Sequence, residues 1–164
     1  MKRPSKIKVV RAKKAWFLLP SFAAITLFGT VYCKRKSDIS SINSTEEVDG
    51  RMKSHETIHV RQAESVCNSW LCFYFLYLCQ WLYNLPLLFV NVHATYKFIP
   101  FELEAFHNQD DWDYCKGKCV EWKKFRKIKM SQRIRLAKQY YKNKVYFTQF
   151  IEDYVMPVTF SNLF

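Results

Sequence analysis

The sequence has little glycine and little proline, three Gly and five Pro in 164 residues. That excludes collagen-like repeats and linker-like chains, argues against a Gly-rich all-β chain, and favours helix. It is also short of acid: 14 Asp/Glu face 26 Lys/Arg, for a formal net charge of +12. The imbalance sits at the ends. Residues 1–36 carry ten Lys/Arg, and residues 116–149 carry twelve against the single acid Glu121, while the middle is close to neutral. Such ends suit an anionic membrane surface. Nucleic acid ranks lower, because Lys-rich amphipathic helices are more often solvated or lipid-facing. A disulfide framework is lacking too. Cys67, Cys72 and Cys79 lie among Leu, Phe, Tyr and Trp, where Cys packs as a small hydrophobe. Cys115 and Cys119 flank Lys-Gly-Lys, but no second Cys/His pair at finger spacing follows, so a four-ligand structural zinc site is not expected. A Cys115–Cys119 disulfide would need an oxidising compartment, which the sequence does not establish.

What is present is apolar and aromatic: 49% hydrophobic residues, with 14 Phe, 10 Tyr and 5 Trp. The length gives room for one domain. Residues 1–14 read as a basic mobile tail, 15–114 as the core and 115–164 as a basic helical C-terminal extension. The run Ala15–Cys33 follows a basic N-terminus in the manner of a signal peptide or anchor. Pro20 and Ser21 interrupt it, and no Ala-x-Ala site follows, so secretion is disfavoured and location stays open between the cytoplasm and peripheral or integral association with a membrane. Its second half alternates, with Ile25, Leu27, Gly29 and Val31 on one side, which predicts a strand over 24–32. Residues 34–51 read as a Ser-rich charged loop, and Asn43-Ser44-Thr45 matches a glycosylation acceptor that has meaning only for an exported eukaryotic chain. A helix is predicted from about Met52, running on into Trp70–Tyr83 and ended or kinked by Pro86. Trp70–Val92 is long enough to span a bilayer, about 20 residues being needed. Gln80, Asn84, Pro86 and Asn91 interrupt it, which favours a buried core helix over a membrane-embedded segment. Residues 87–99 suit helix or strand. Pro100 opens another helix at its first turn, and 115–155 is helical in character.

One motif carries chemistry: His55-Glu56-Thr57-Ile58-His59. Positions i and i+4 share a helix face, so two imidazoles there reach one metal ion, and Glu56 beside the first can meet an activated water. With four His in the chain, chance yields the pattern on the order of 0.005 times per shuffled sequence. A catalytic zinc takes three protein ligands and one open position. The residues after His59, VRQAESV, lack the Gly and third His of the metzincin pattern. Glu64 is on the same helix and points elsewhere. Glu102 and Glu104, set in the apolar segment FELEAF, remain as candidates for the third ligand, since acids in apolar surroundings need a partner. Gln62, one turn after His59, suits either ligand orientation or helix packing. Tyr96, His93, His107 and Tyr114 are candidate donors to a developing oxyanion.

HETIHVRQ followed by FELEA resembles the glutamate branch of the zincin metallopeptidases. More narrowly, it resembles a family of small metallopeptidases of gut Bacteroidetes and related bacteria, in which an ITLFG-type strand, an HExIHxxQ helix, an aromatic segment and FExEA follow in order. The resemblance covers residues 22–114. It implies an α+β, mostly helical, minimal zincin-like fold with a short N-terminal sheet, the HExxH helix, a glutamate helix and basic C-terminal helices. It implies Zn²⁺ held by His55, His59 and Glu102, with Glu104 as second choice, Glu56 as catalytic base and a peptide or protein as substrate. Thermolysin-like relatives carry an Asp four residues after the ligand glutamate. Here that position is Phe106, with Asp110 and Asp111 as the nearest acids in sequence. The alternative is a non-catalytic, membrane-associated binding or regulatory protein that retains the metal site.

Overall fold

Low glycine and a high density of long apolar side chains make helix the default backbone, and the computed structural model is mostly helical. It describes residues 8–11, 24–28, 30–33 and 51–162. The 15–23 part of the apolar run, most of the basic tail, the Ser-rich loop and Asn43-Ser44-Thr45 lie outside them. From residue 51 onward the elements are α1 (Arg51–Ser65), α2 (Trp70–Tyr83), a 3₁₀ turn (Leu85–Phe89), α3 (Val92–Lys97), α4 (Pro100–Asn108), a 3₁₀ turn (Tyr114–Lys116), α5 (Trp122–Phe125), α6 (Met130–Asn143), α7 (Phe147–Phe150), a π-helical turn (Ile151–Val155) and α8 (Met156–Ser161).

The expected class, α+β with a short N-terminal sheet in a minimal zincin-like fold, is therefore corrected. Residues 51–162 contain no strand. Three extended pieces pair locally: β1 (Lys8–Arg11) runs parallel to β3 (Thr30–Cys33), and β2 (Ala24–Leu27) antiparallel to it, with Ile25 opposite Tyr32. The predicted single strand over 24–32 is broken at Phe28, whose φ is 51°. Four-residue strands in so small a set offer too little apolar face to organise a domain. Among the described residues their extensive contacts are with one another only, so they do not form an architectural layer.

The predicted run-on of the first helix into Trp70–Tyr83 is also corrected. Cys67 and Asn68 both have left-handed backbone, with φ of 54° and 49°. That ends α1, and the Ser69 hydroxyl then accepts the Cys72 N–H at the start of α2. Asn tolerates this conformation better than other non-glycine residues, and Cys does not, so the break is held by its surroundings.

The chain divides into two compact units that interleave in sequence: Met1–Cys72 with Gln109–Lys118, and Phe73–Asn108 with Cys119–Phe164. In the first, the 109–118 segment is fastened to α1. Arg51 pairs with Asp110, Arg61 Nε donates to the Cys115 carbonyl at 3.0 Å, and Ser54 Oγ meets Cys115 Sγ at 3.6 Å. Residues 54 and 61 share one side of the helix, and His55, His59 and Gln62 share another. Burial pushes the Cys115 thiol pKa up, so it stays protonated. Cys115 and Cys119 are not joined by a disulfide.

The second unit has one hydrophobic core, built by Leu87, Ala94, Phe98, Leu103, Phe125, Ile128, Leu136, Ala137, Phe147, Phe150, Ile151 and Val155. Phe147 is its aromatic centre. It meets Phe98, Phe106 and Tyr140 edge-on at 5.9, 5.2 and 4.9 Å between centroids. Lys97 Nζ lies over the Phe147 and Tyr140 rings at 4.8 and 4.7 Å. Buried within the same unit is Arg133. Its guanidinium donates to Asn84 Oδ1 (2.7 Å) and to the carbonyls of Phe98 (3.0 Å), Phe125 (3.2 Å) and Ile128 (3.1 Å).

Candidate metal centre

The i, i+4 spacing on α1 does what helical geometry requires: the His55 and His59 rings sit 4.9 Å apart, nearly perpendicular. Both are buried, as is Glu56 between them in sequence. His59 Nδ1–H donates to Gln62 Oε1 at 2.8 Å. This bond fixes the tautomer and leaves Nε2 as the lone pair available for a metal. Gln62 is fully buried, and its side chain holds the His59 ring.

On α4, Pro100 begins the helix as expected and Glu102 falls in its first turn. Glu102 is 2% exposed and accepts a hydrogen bond from the Tyr77 hydroxyl at 2.8 Å. Tyr77 stacks on Phe101 at 6.2 Å, with planes 4° apart, and that stacking holds the phenol in place. The Tyr77 role was not read from the sequence. Its signal was the spacing Phe73, Tyr77, Gln80, Asn84 along one side of α2, which places a hydroxyl among inward-facing residues.

Glu104 has another task. Its Oε1 accepts the Glu121 backbone N–H at 2.7 Å. Two residues along a helix turn the side chain by about 200°, so the FELEA carboxylates serve different ends. Phe106 is a core residue against Phe147. Asp110 pairs with Arg51, and Asp111 caps the turn at Asp113 and Tyr114. Of the candidate oxyanion donors, His93 is exposed, His107 lies 3.6 Å from a Glu121 oxygen, and Tyr96 and Tyr114 are half-buried.

Among the described residues, His55, His59 and Glu102 form the one cluster suited to a metal ion, all three buried, with one ligand atom from each within 4.8 Å of the others. Two imidazoles and a carboxylate form a donor set suited to zinc with an open position. Two buried imidazoles, His59 held by the Gln62 amide, and a buried carboxylate held by the Tyr77 phenol fit a cation. The group could thus hold a metal ion. No protein-family model, curated protein or solved structure matches the chain.

Proposed function

We propose that the chain is a zinc-dependent metallopeptidase, with His55, His59 and Glu102 as zinc ligands and Glu56 as general base. The observation that carries this reading is the buried group made by the two histidines of the HExxH helix and Glu102 of α4. Zinc held there supplies Lewis acidity and a water that ionises near neutrality. The other roles belong to the chain. Gln62 holds the His59 ring, and Tyr77 holds the Glu102 carboxylate. Glu56 takes a proton from the attacking water and returns it to the leaving amine.

Phe106 favours a second reading, a non-catalytic protein that keeps the site. The position where thermolysin-like relatives carry Asp is here part of an aromatic core. Tyr77 and Gln62 supply the ligand support that this Asp gives elsewhere, and for that reason the catalytic reading ranks first.

The test separates binding from chemistry. Protein purified without chelator and offered zinc should hold about one ion per chain, lost in His55→Ala or His59→Ala. Glu56→Gln should keep that zinc and lower hydrolysis of an unfolded protein substrate by roughly 10²–10⁴-fold. Absence of zinc in the wild type sinks the proposal. Zinc without hydrolysis across a broad substrate set selects the non-catalytic reading.

A further inference from the structure

Helix α2 is built inside out for a helix facing water. Leu71, Phe75, Leu78 and Leu82 fall at i, i+4, i+7 and i+11 and are 67%, 65%, 52% and 48% exposed. The opposite side carries its polar groups inward: Gln80 is 8% exposed and Asn84, just past the helix end, 0%. Asn84 is held there by the Arg133 guanidinium and by donating its own amide to the Thr95 carbonyl. A helix that meets water puts its apolar stripe inward and its polar residues outward. One that meets hydrocarbon does the reverse, keeping polar side chains against the protein. The apolar surface continues beyond the helix through Leu88, Phe89 and Val92, with Phe89 96% exposed. From Ser65 to Tyr96 the sequence holds no Asp, Glu, Lys or Arg.

Fourteen residues give α2 a length of about 21 Å, and no helix among the described residues is long and apolar enough to cross a membrane. The geometry points to a helix lying in the plane of an anionic lipid surface, with Leu71, Phe75, Leu78, Leu82 and Phe89 immersed in the acyl boundary. Charge selects this occupant over a second copy of the chain. Each copy carries +12, which opposes self-association and attracts anionic lipid. The second unit alone has eleven Lys/Arg against five Asp/Glu. Arg135, Lys138 and Lys142 form an exposed basic row on α6, away from Arg133. Insertion of the apolar face therefore provides the anchor, and charge provides attraction at longer range. This inference does not rest on the metal site.

The full chain should cosediment with phosphatidylcholine vesicles containing phosphatidylglycerol, and brominated acyl chains should quench Trp81, which flanks the apolar face. The double variant Phe75→Gln/Leu78→Gln should bind at least about tenfold more weakly, with an unchanged circular dichroism spectrum because both side chains point outward. Phe89→Ser, outside the helix, provides a second variant that should weaken binding several-fold. Protein left in the supernatant overturns the inference, as does a double variant that binds like wild type. Binding abolished by moderate salt with no Trp81 quenching also overturns it, since that is adsorption by charge alone. So does a dimer that the double variant dissolves, in a chain that ignores vesicles, which gives the face to a second copy.

Discussion

Glu102 and Glu104 show how far two identical side chains can diverge over two residues. Both are buried, and a buried carboxylate without partners is costly. Glu104 is satisfied by the Glu121 backbone N–H, a contact that fastens α4 to the chain entering α5. Glu102 is held by Tyr77 and belongs to the His-His-Glu group. The two should therefore fail differently. Glu102→Ala should abolish zinc binding and leave the fold intact. Glu104→Ala should retain zinc and lower stability by about 1 kcal/mol or more, the cost of leaving a part-buried N–H without its acceptor. Zinc titration and denaturant unfolding of both variants separate these outcomes. Zinc loss from Glu104→Ala alone would reverse the assignment. Before the family resemblance is invoked the sequence left the choice open, because spacing offers two acids in one apolar segment and does not say which way the helix is turned.

Periodicity read the elements unevenly. The HExxH helix was legible because His55 and His59 obey a 3.6-residue period, and α4 because Pro100 suits a first helical turn. The break at Cys67–Asn68 was not, since no Gly or Pro marks it. Gln80 and Asn84 read as interruptions of an apolar helix because polar residues are assumed to face water, whereas here they face inward. The same assumption hid Arg133 among the cations of the C-terminal helices. Burial pulls its pKa down to about 10, so it remains charged at neutral pH, with neutral oxygens as partners and the Tyr83 ring at 5.2 Å. It draws together the end of α2, the chain before α4 and the α5–α6 turn. Arg133→Met should leave Asn84 Oδ1 and three carbonyls short of a donor, at about 1–3 kcal/mol each where no other donor replaces it. We expect a loss of at least about 3 kcal/mol in denaturant unfolding. Arg133→Lys should recover little, because an ammonium cannot reproduce the guanidinium fork. A loss below about 1 kcal/mol in Arg133→Met would show that water or repacking replaces these bonds.

At the scale of the molecule, the composition indicated helices and basic ends, but not that 119–164 shares a hydrophobic core with 73–108. Contacts distant in sequence leave no local pattern to read. The chain leaves this unit at Gln109 and returns at Cys119, and Glu121 closes the return. Its carboxylate faces His107, Lys124 at 3.0 Å and Asn108 at 3.2 Å, and its N–H meets Glu104. His107 first, with Lys124 and Asn108, holds the Glu121 pKa at about 2 from an ordinary 4.5, against burial, which raises it. A folded-state pKa below the unfolded one stabilises the fold at pH above the unfolded value, and that stabilisation is lost as pH falls through the folded value. The window is therefore between about 4.5 and about 2. The group is partly open to solvent, so screening limits the effect to about 1 kcal/mol. Acid also protonates the other carboxylates of a chain already at +12, which adds self-repulsion in wild type and variant alike. Glu121→Gln should thus be less stable than wild type at neutral pH, and the difference should close as pH falls through that window. Denaturant midpoints measured across it decide the matter. A gap that stays constant would mean that the Glu121 side chain contributes through packing or hydrogen bonds that do not depend on its charge, since the backbone bond to Glu104 is the same in both proteins.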